Sequence, residues 1–418
     1  MRRTVRASWL LVPCIAMVTA KLPMGFLVLL AGPLAVLALQ GIRPHARWPR
    51  ALALTLLWSL LASFVAVVSF APQLLAGTNN TFVVMVAIAA LASCVFASGE
   101  RPDEVAARLV DGLFAGLLVT WALSMVEVAT GFKFMTVLYP GANTIAQVAG
   151  RRLFVSALFP NYNDYSVAMA MLVVLMVARL LFQRRGPRTT LLRWVVLISA
   201  TFLVAYMGSR GALATLLGGI VLVCTLNVRA LHGQVLPLRA RAAAVLLGGA
   251  ALLGLLTSPY VQDNSTAQRG GIAENILTML GDQPVRALLG YGALSQYLAD
   301  AAARFGAILM DPHNLLLELV IWYGLPALVG FLTCWWMVVR SSFLGSFRPG
   351  DWRSVGAVSV TTLLPLIGIV CSSTLRYHIV WIWLLASVAA VHAHRRAAAQ
   401  ASAAPEAAME TSRSISPA

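Results

Sequence analysis

The sequence predicts an all-α integral membrane protein with about twelve transmembrane helices and one larger outer loop at about residues 258–313. Three observations predict it. Hydrophobic residues make up 60 % of the 418 residues, charged residues 11 %, and the mean hydropathy is +0.82. No soluble core hides that much apolar surface, whereas a bilayer makes hiding it unnecessary. The apolar residues also come in runs of membrane-span length, and basic residues are biased to the loops on one side of those runs.

In order, the runs are Ala7–Ala20, Pro23–Leu39, Ala51–Phe70, Phe82–Ala97, Leu109–Ala129, Tyr165–Leu181, Trp194–Met207, Ala212–Leu226, Ala242–Thr257, Asn314–Val339, Val355–Cys371 and His378–Val391. Several are shorter than the ~20 residues of a perpendicular span, which packed neighbours tolerate. The first two read equally as one broken helix, giving eleven spans. Met1-Arg2-Arg3 ahead of an apolar run mimics a signal peptide, but without a small-residue cleavage site it reads as the first anchor. Residues 1–396 form a single polytopic domain on this reading. Residues 397–418, rich in Ala, Ser and Pro, read as a disordered cytoplasmic tail.

The net charge of +16 raises nucleic acid as a partner, but the arginines lie in short loops between apolar runs and not on one basic face. Anionic lipid of the inner leaflet is their partner on this reading. With a cytoplasmic N-terminus, nine of the 31 basic residues fall outside: Lys21, Lys133, Arg151, Arg152, Arg210, Arg269, Arg286, Arg304 and Arg376. That bias obeys the positive-inside rule. It places Thr130–Asp164 and Ser258–Pro312 outside, together with His313 and His378. The five cysteines all fall within spans, an odd set that makes neither a disulfide framework nor a metal site and reads as packing.

The stretch with most chemistry is Asp311-Pro312-His313-Asn314, followed by Leu315-Leu316-Leu317-Glu318 and by Gly324. An ionisable group at the mouth of an apolar helix is costly unless it is paired or used. Arg210 sits in Gly208-Ser209-Arg210-Gly211 between two apolar runs, where it must snorkel or meet an anion. Arg269 lies in the outer loop before Gly270-Gly271. Two outward arginines and a histidine favour an anionic ligand at the membrane surface, phosphate above all, because the guanidinium fork holds its oxygens bidentately. The outer carboxylates, Asp164, Asp263, Glu274, Asp282, Asp300 and Asp311 with Glu127 and Glu318 near span ends, are scattered. No metal site and no cofactor is expected.

Four stretches, in order, resemble the O-antigen ligase and O-antigen polymerase superfamily of integral-membrane glycosyltransferases. They are Phe159-Pro160-Asn161-Tyr162-Asn163-Asp164, Gly208-Ser209-Arg210-Gly211-Ala212, Leu289-Gly290-Tyr291-Gly292, and Pro312-His313-Asn314 through Glu318 and Gly324. The resemblance covers about residues 150–340. The aromatic usual after the loop arginine is missing after Arg269. The resemblance implies a polyprenyl (undecaprenyl) diphosphate-linked glycan donor, and a glycan or lipid A-core acceptor. It also implies a multi-pass protein of the bacterial cytoplasmic membrane whose site faces the periplasm.

On that basis His313 is the candidate catalytic base, since imidazole titrates near working pH. Arg210 and Arg269 would hold the diphosphate and stabilise its developing charge. Asn314, Glu318 and Arg376 are further candidates for the substrate site. Asn314 reads also as a helix cap and Glu318 as its structural partner. Arg286 and Arg304 read as solvated helix-face charges. Polymerase is the favoured activity, with ligation to lipid A-core as the alternative. A transporter or flippase of an anionic lipid-linked substrate is the competing class. It would place its charges near mid-bilayer, whereas here they gather at one face.

Overall fold

The computed structural model describes residues 6–43, 46, 48–70, 81–135, 155–159, 161–183, 186–232, 264–292, 294–306, 312, 314–344, 347, 350–370 and 378–414, with the backbone alone at 70, 228–232, 264–269, 294–295, 344, 370 and 401–414. Among them the regular structure is helical throughout. The helices are α1 (Leu11–Thr19), α2 (Gly25–Gln40), α3 (Arg50–Phe70), α4 (Thr81–Phe96), α5 (Pro102–Thr130), α6 (Tyr162–Phe182), α7 (Pro187–Met207) and α8 (Arg210–His232). They continue as α9 (Asn264–Asp282), α10 (Pro284–Leu289), α11 (Leu294–Phe305), α12 (Leu315–Tyr323), α13 (Leu325–Val339), α14 (Trp352–Thr362), α15 (Leu364–Val370) and α16 (Ile379–Ser414).

Among the described residues six stretches are long and apolar enough to cross a membrane: Arg50–Ser69, Pro102–Thr130, Tyr162–Phe182, Pro187–Met207, Arg210–Asn227 and Leu325–Phe343. Their outward faces fit lipid. On α3, Leu54, Leu57, Leu61, Phe64 and Val68 recur at helical spacing, and all are exposed. The expected span at 242–257 lies outside the described residues. α1 and α2 are two helices and not one broken one: Gly25 packs on Met17 and Val18, and Gly32 on Cys14, so they form an antiparallel hairpin. Cys14, Cys94 and Cys334 are buried as expected of packing residues, whereas Cys224 is exposed. α16 runs on as helix through Ser414, into the stretch whose composition suggests disorder; its many Ala, Glu, Met and Gln residues favour helix.

The polar side chains sort to the two ends of the bundle. One end carries the ion pairs Arg6–Glu104, Arg108–Asp111 and Arg353–Asp111, with Ser8 and Gln40 donating to Glu100. α6 is the central helix, buried along most of its length against α5, α7, α8 and α14. Between the ends the core is apolar with a scatter of buried hydroxyls, Thr120, Ser124, Thr361 and Ser387 among them, and Trp381 and Trp383 of α16 are fully buried.

The stretch expected as a polar outer loop is a helical layer with its own small core of Ile272, Ile276, Met279, Tyr291 and Tyr297, closed against Val320 and Ile321 of α12. It docks through glycines. Gly324, which breaks α12 from α13, has φ +81°, and a Cβ there would lie 1.7 Å from the Leu288 carbonyl oxygen. Gly324→Ala is therefore expected to destabilise the protein by at least ~2 kcal/mol, through strain and backbone overlap together. The drop in unfolding midpoint of the purified protein in detergent measures it.

Candidate functional site

α7 ends on Gly208, in the left-handed region at φ +65°, and α8 begins two residues later. That reversal puts Arg210 in the first turn of α8, exposed, and among the described residues its guanidinium makes no hydrogen bond or ion pair. A long cation projecting from a helix start at the bundle's end, with no anion among the described residues to neutralise it, is available to an anionic ligand.

Asn314, at the start of α12, lies at the same depth. Asn314 is the N-cap of α12, its Oδ1 accepting from Leu316 N at 2.9 Å and Leu317 N at 3.4 Å. This is the capping role its position predicts. α15 links the two helix starts. Gly218 of α8 packs on Leu363 beside the foot of α15, and Gly368 near its top is in contact with Leu315. Eight residues separate Gly218 from Arg210, a rise of ~12 Å, and seven separate Leu363 from Val370, ~10 Å. Arg210 and Asn314 therefore flank the same end of α15. His313 and Arg376 themselves lie outside the described residues, as does the side chain of Arg269, whose backbone is in α9. Glu318 is fully buried one turn into α12 and packs within the bundle, not on its surface.

The Gly-Tyr-Gly stretch is structural. Gly290 at φ +78° lies against the Trp322 backbone, and Gly292 at φ +72° against Ala66 and Val67 of α3. Tyr291 N donates to Ile321 O at 2.7 Å, and Gly292 O accepts from Thr81 N and Oγ1. Tyr291 is buried, its hydroxyl donating to Asp300 at 3.0 Å. Burial, reinforced by Asp300, raises its pKa. Arg304 bridges Asp300 and Asp282, and Arg286 stacks 4.5 Å from the Tyr291 ring. Burial lowers the Arg286 pKa, against the pull of Tyr291 and Asp300. Both arginines, expected as solvated charges, hold the outer layer together. Asn161 caps α6, accepting from Asn163 N at 2.8 Å, and Asp164 is buried.

Residues 194–332 match the family profile described as O-antigen ligase. Over that third of its length the chain is similar to the O-antigen ligase family. No curated protein matches it. The O-antigen ligase segment runs from α7 into α13, so it contains Arg210, Arg269, the Gly-Tyr-Gly dock, Asn314 and Glu318.

Outside the O-antigen ligase segment lies a feature that the sequence reading passed over. Glu127, fully buried near the end of α5, accepts from Phe134 N at 3.1 Å, Ser156 N at 2.9 Å and Ala157 N at 3.0 Å. Its carboxylate thus clasps the two ends of the outer stretch that leads into α6. A carboxylate within an apolar span is a signal in itself, but its partners are backbone groups up to 30 residues away. Glu127→Gln puts an amide donor against backbone donors. It is expected to cost ~2 kcal/mol of stability, read from thermal unfolding in detergent, with faster proteolysis of the outer stretch.

His378, also outside that segment, is buried before α16 at φ +56°. Burial, with the Lys21 cation nearby, pushes its pKa down to about 3, so the ring is neutral at working pH. Among the described residues no three His, Cys, Asp or Glu side chains gather as a metal site.

Proposed function

We propose that the protein is a membrane glycosyltransferase. It transfers a polyprenyl-diphosphate-linked glycan to an acceptor hydroxyl at the outer face of the cytoplasmic membrane, in surface polysaccharide assembly and as a polymerase. The observation that carries this reading is the O-antigen ligase match over 194–332, within which Arg210 is exposed at the end of the bundle without a partner among the described residues. In the proposed reaction the acceptor hydroxyl attacks the anomeric carbon, and the bond to the diphosphate oxygen breaks. Arg210 and Arg269 hold the departing diphosphate, and their fixed positive charge stabilises the negative charge that develops on it. His313 takes the acceptor proton. The neutralisation is supplied by arginines, so the reaction as proposed needs no metal ion.

Ligation to lipid A-core uses the same donor chemistry and differs only in acceptor. A deletion strain separates the two. Loss of long chains, with a single repeat still attached to core, supports polymerase. Accumulated lipid-linked polymer beside bare core supports ligase.

A further inference from the structure

We propose that Lys21 and His378 form a second anion site at the outer end of α6, which holds the diphosphate of the acceptor lipid. The proposal rests on the polymerase reading above. Polymerisation joins two lipid-diphosphate-linked glycans, so two diphosphates must sit at the outer face together, and Arg210 lies in position for only one of them.

The site is built by three chain segments. The α1–α2 turn carries Lys21, whose ammonium lies 5.6 Å from the centre of the Phe159 ring, just ahead of α6. His378 stands at the start of α16, its ring centre 5.3 Å from that of Phe26 in the first turn of α2. The residue is 9 % exposed, and its Nδ1 is buried with no hydrogen-bond partner among the described residues. Buried polar atoms are nearly always satisfied, so an orphaned one beside a lysine marks where a ligand oxygen is missing. A lysine binds phosphate as a point charge, and Nδ1–H of a neutral imidazole can donate to the same group.

Backbone strain gathers at the same place. Among the described residues, four that are not glycine have left-handed backbone: Lys21, Met24, Ala157 and His378. Lys21 and Met24 shape the turn, His378 starts α16, and Ala157 is held by Glu127 in the turn that presents Phe159. Strain of this kind persists where surrounding structure over-determines it, and it concentrates at ligand sites. α8, with Arg210, packs on α6 as well, while the Lys21 turn meets Phe159 at the α6 start. The two cations therefore stand at the same end of the bundle, each beside the outer end of α6.

The shared ligand chemistry is a phosphate at the membrane surface, which a polyprenyl diphosphate or an anionic headgroup could supply. The test uses the full-length protein in phosphatidylcholine nanodiscs, with polyprenyl diphosphate lacking sugar as the probe and bound equivalents read by native mass spectrometry. The parent is expected to bind two equivalents. Lys21→Gly relieves the left-handed strain, so it should fold at least as well as the parent, yet bind the second equivalent ~10-fold more weakly. Lys21→Arg should keep both equivalents, His378→Gln should weaken the second, and Arg210→Ala should lose the first alone. A parent that binds one equivalent, lost in Arg210→Ala and unchanged in Lys21→Gly, overturns the second site and leaves the donor reading standing. A second equivalent displaced by an equal amount of phosphatidylglycerol also overturns it, as a headgroup site. A parent that binds none overturns the functional reading itself.

Discussion

His313→Ala is expected to abolish glycan transfer, lowering the rate by ~10²–10⁴-fold, the usual contribution of a positioned acid–base group. The protein should still insert and remain monodisperse in detergent. The capping hydrogen bonds at the start of α12 are accepted by Asn314 Oδ1, which the change leaves in place. Single-turnover transfer from a lipid-linked glycan measures the effect. Normal turnover in the variant removes His313 from the mechanism, whatever the fate of the arginines.

Arg210→Ala is expected to lower transfer by ~100-fold, as loss of one preorganised charge at a developing anion does. Arg210→Lys keeps the charge but loses the planar fork, and should recover only part of that loss. Arg210 is exposed and makes no side-chain bond among the described residues, so neither change removes a fold-holding contact. Unfolding midpoints should match the parent's. A lysine variant as active as the parent would mean that charge alone suffices and that bidentate binding plays no part.

Composition and run length made the membrane class and most helices readable, because a lipid-facing helix needs nothing beyond apolar residues at every exposed position. Local signals were readable too. Asn161 and Asn314 precede their helices as N-caps do, and Gly208 ends α7 in the conformation a tight reversal needs. Juxtapositions between distant segments were not readable. Nothing about Leu289-Gly290-Tyr291-Gly292 says that its glycines meet Trp322 and Val67, so its role as a docking surface had to come from the structure. Arg304 reads as an exposed charge until Asp282 and Asp300 are brought beside it. Glu127 was visible only as one of several scattered carboxylates, because backbone N–H groups leave no trace in sequence. The outer loop was expected to be polar. Yet α9–α11 carry enough apolar residues at helical spacing to build a core of their own.

The measurement that bears most directly on the central claim is transfer by the purified protein in detergent, with lipid-linked glycan as donor and a second lipid-linked repeat as acceptor. The account predicts a longer lipid-linked glycan and one released polyprenyl diphosphate per bond formed, with no sealed membrane present. Absence of product in detergent, with movement of the lipid-linked glycan across sealed vesicles, would contradict it and point to transport.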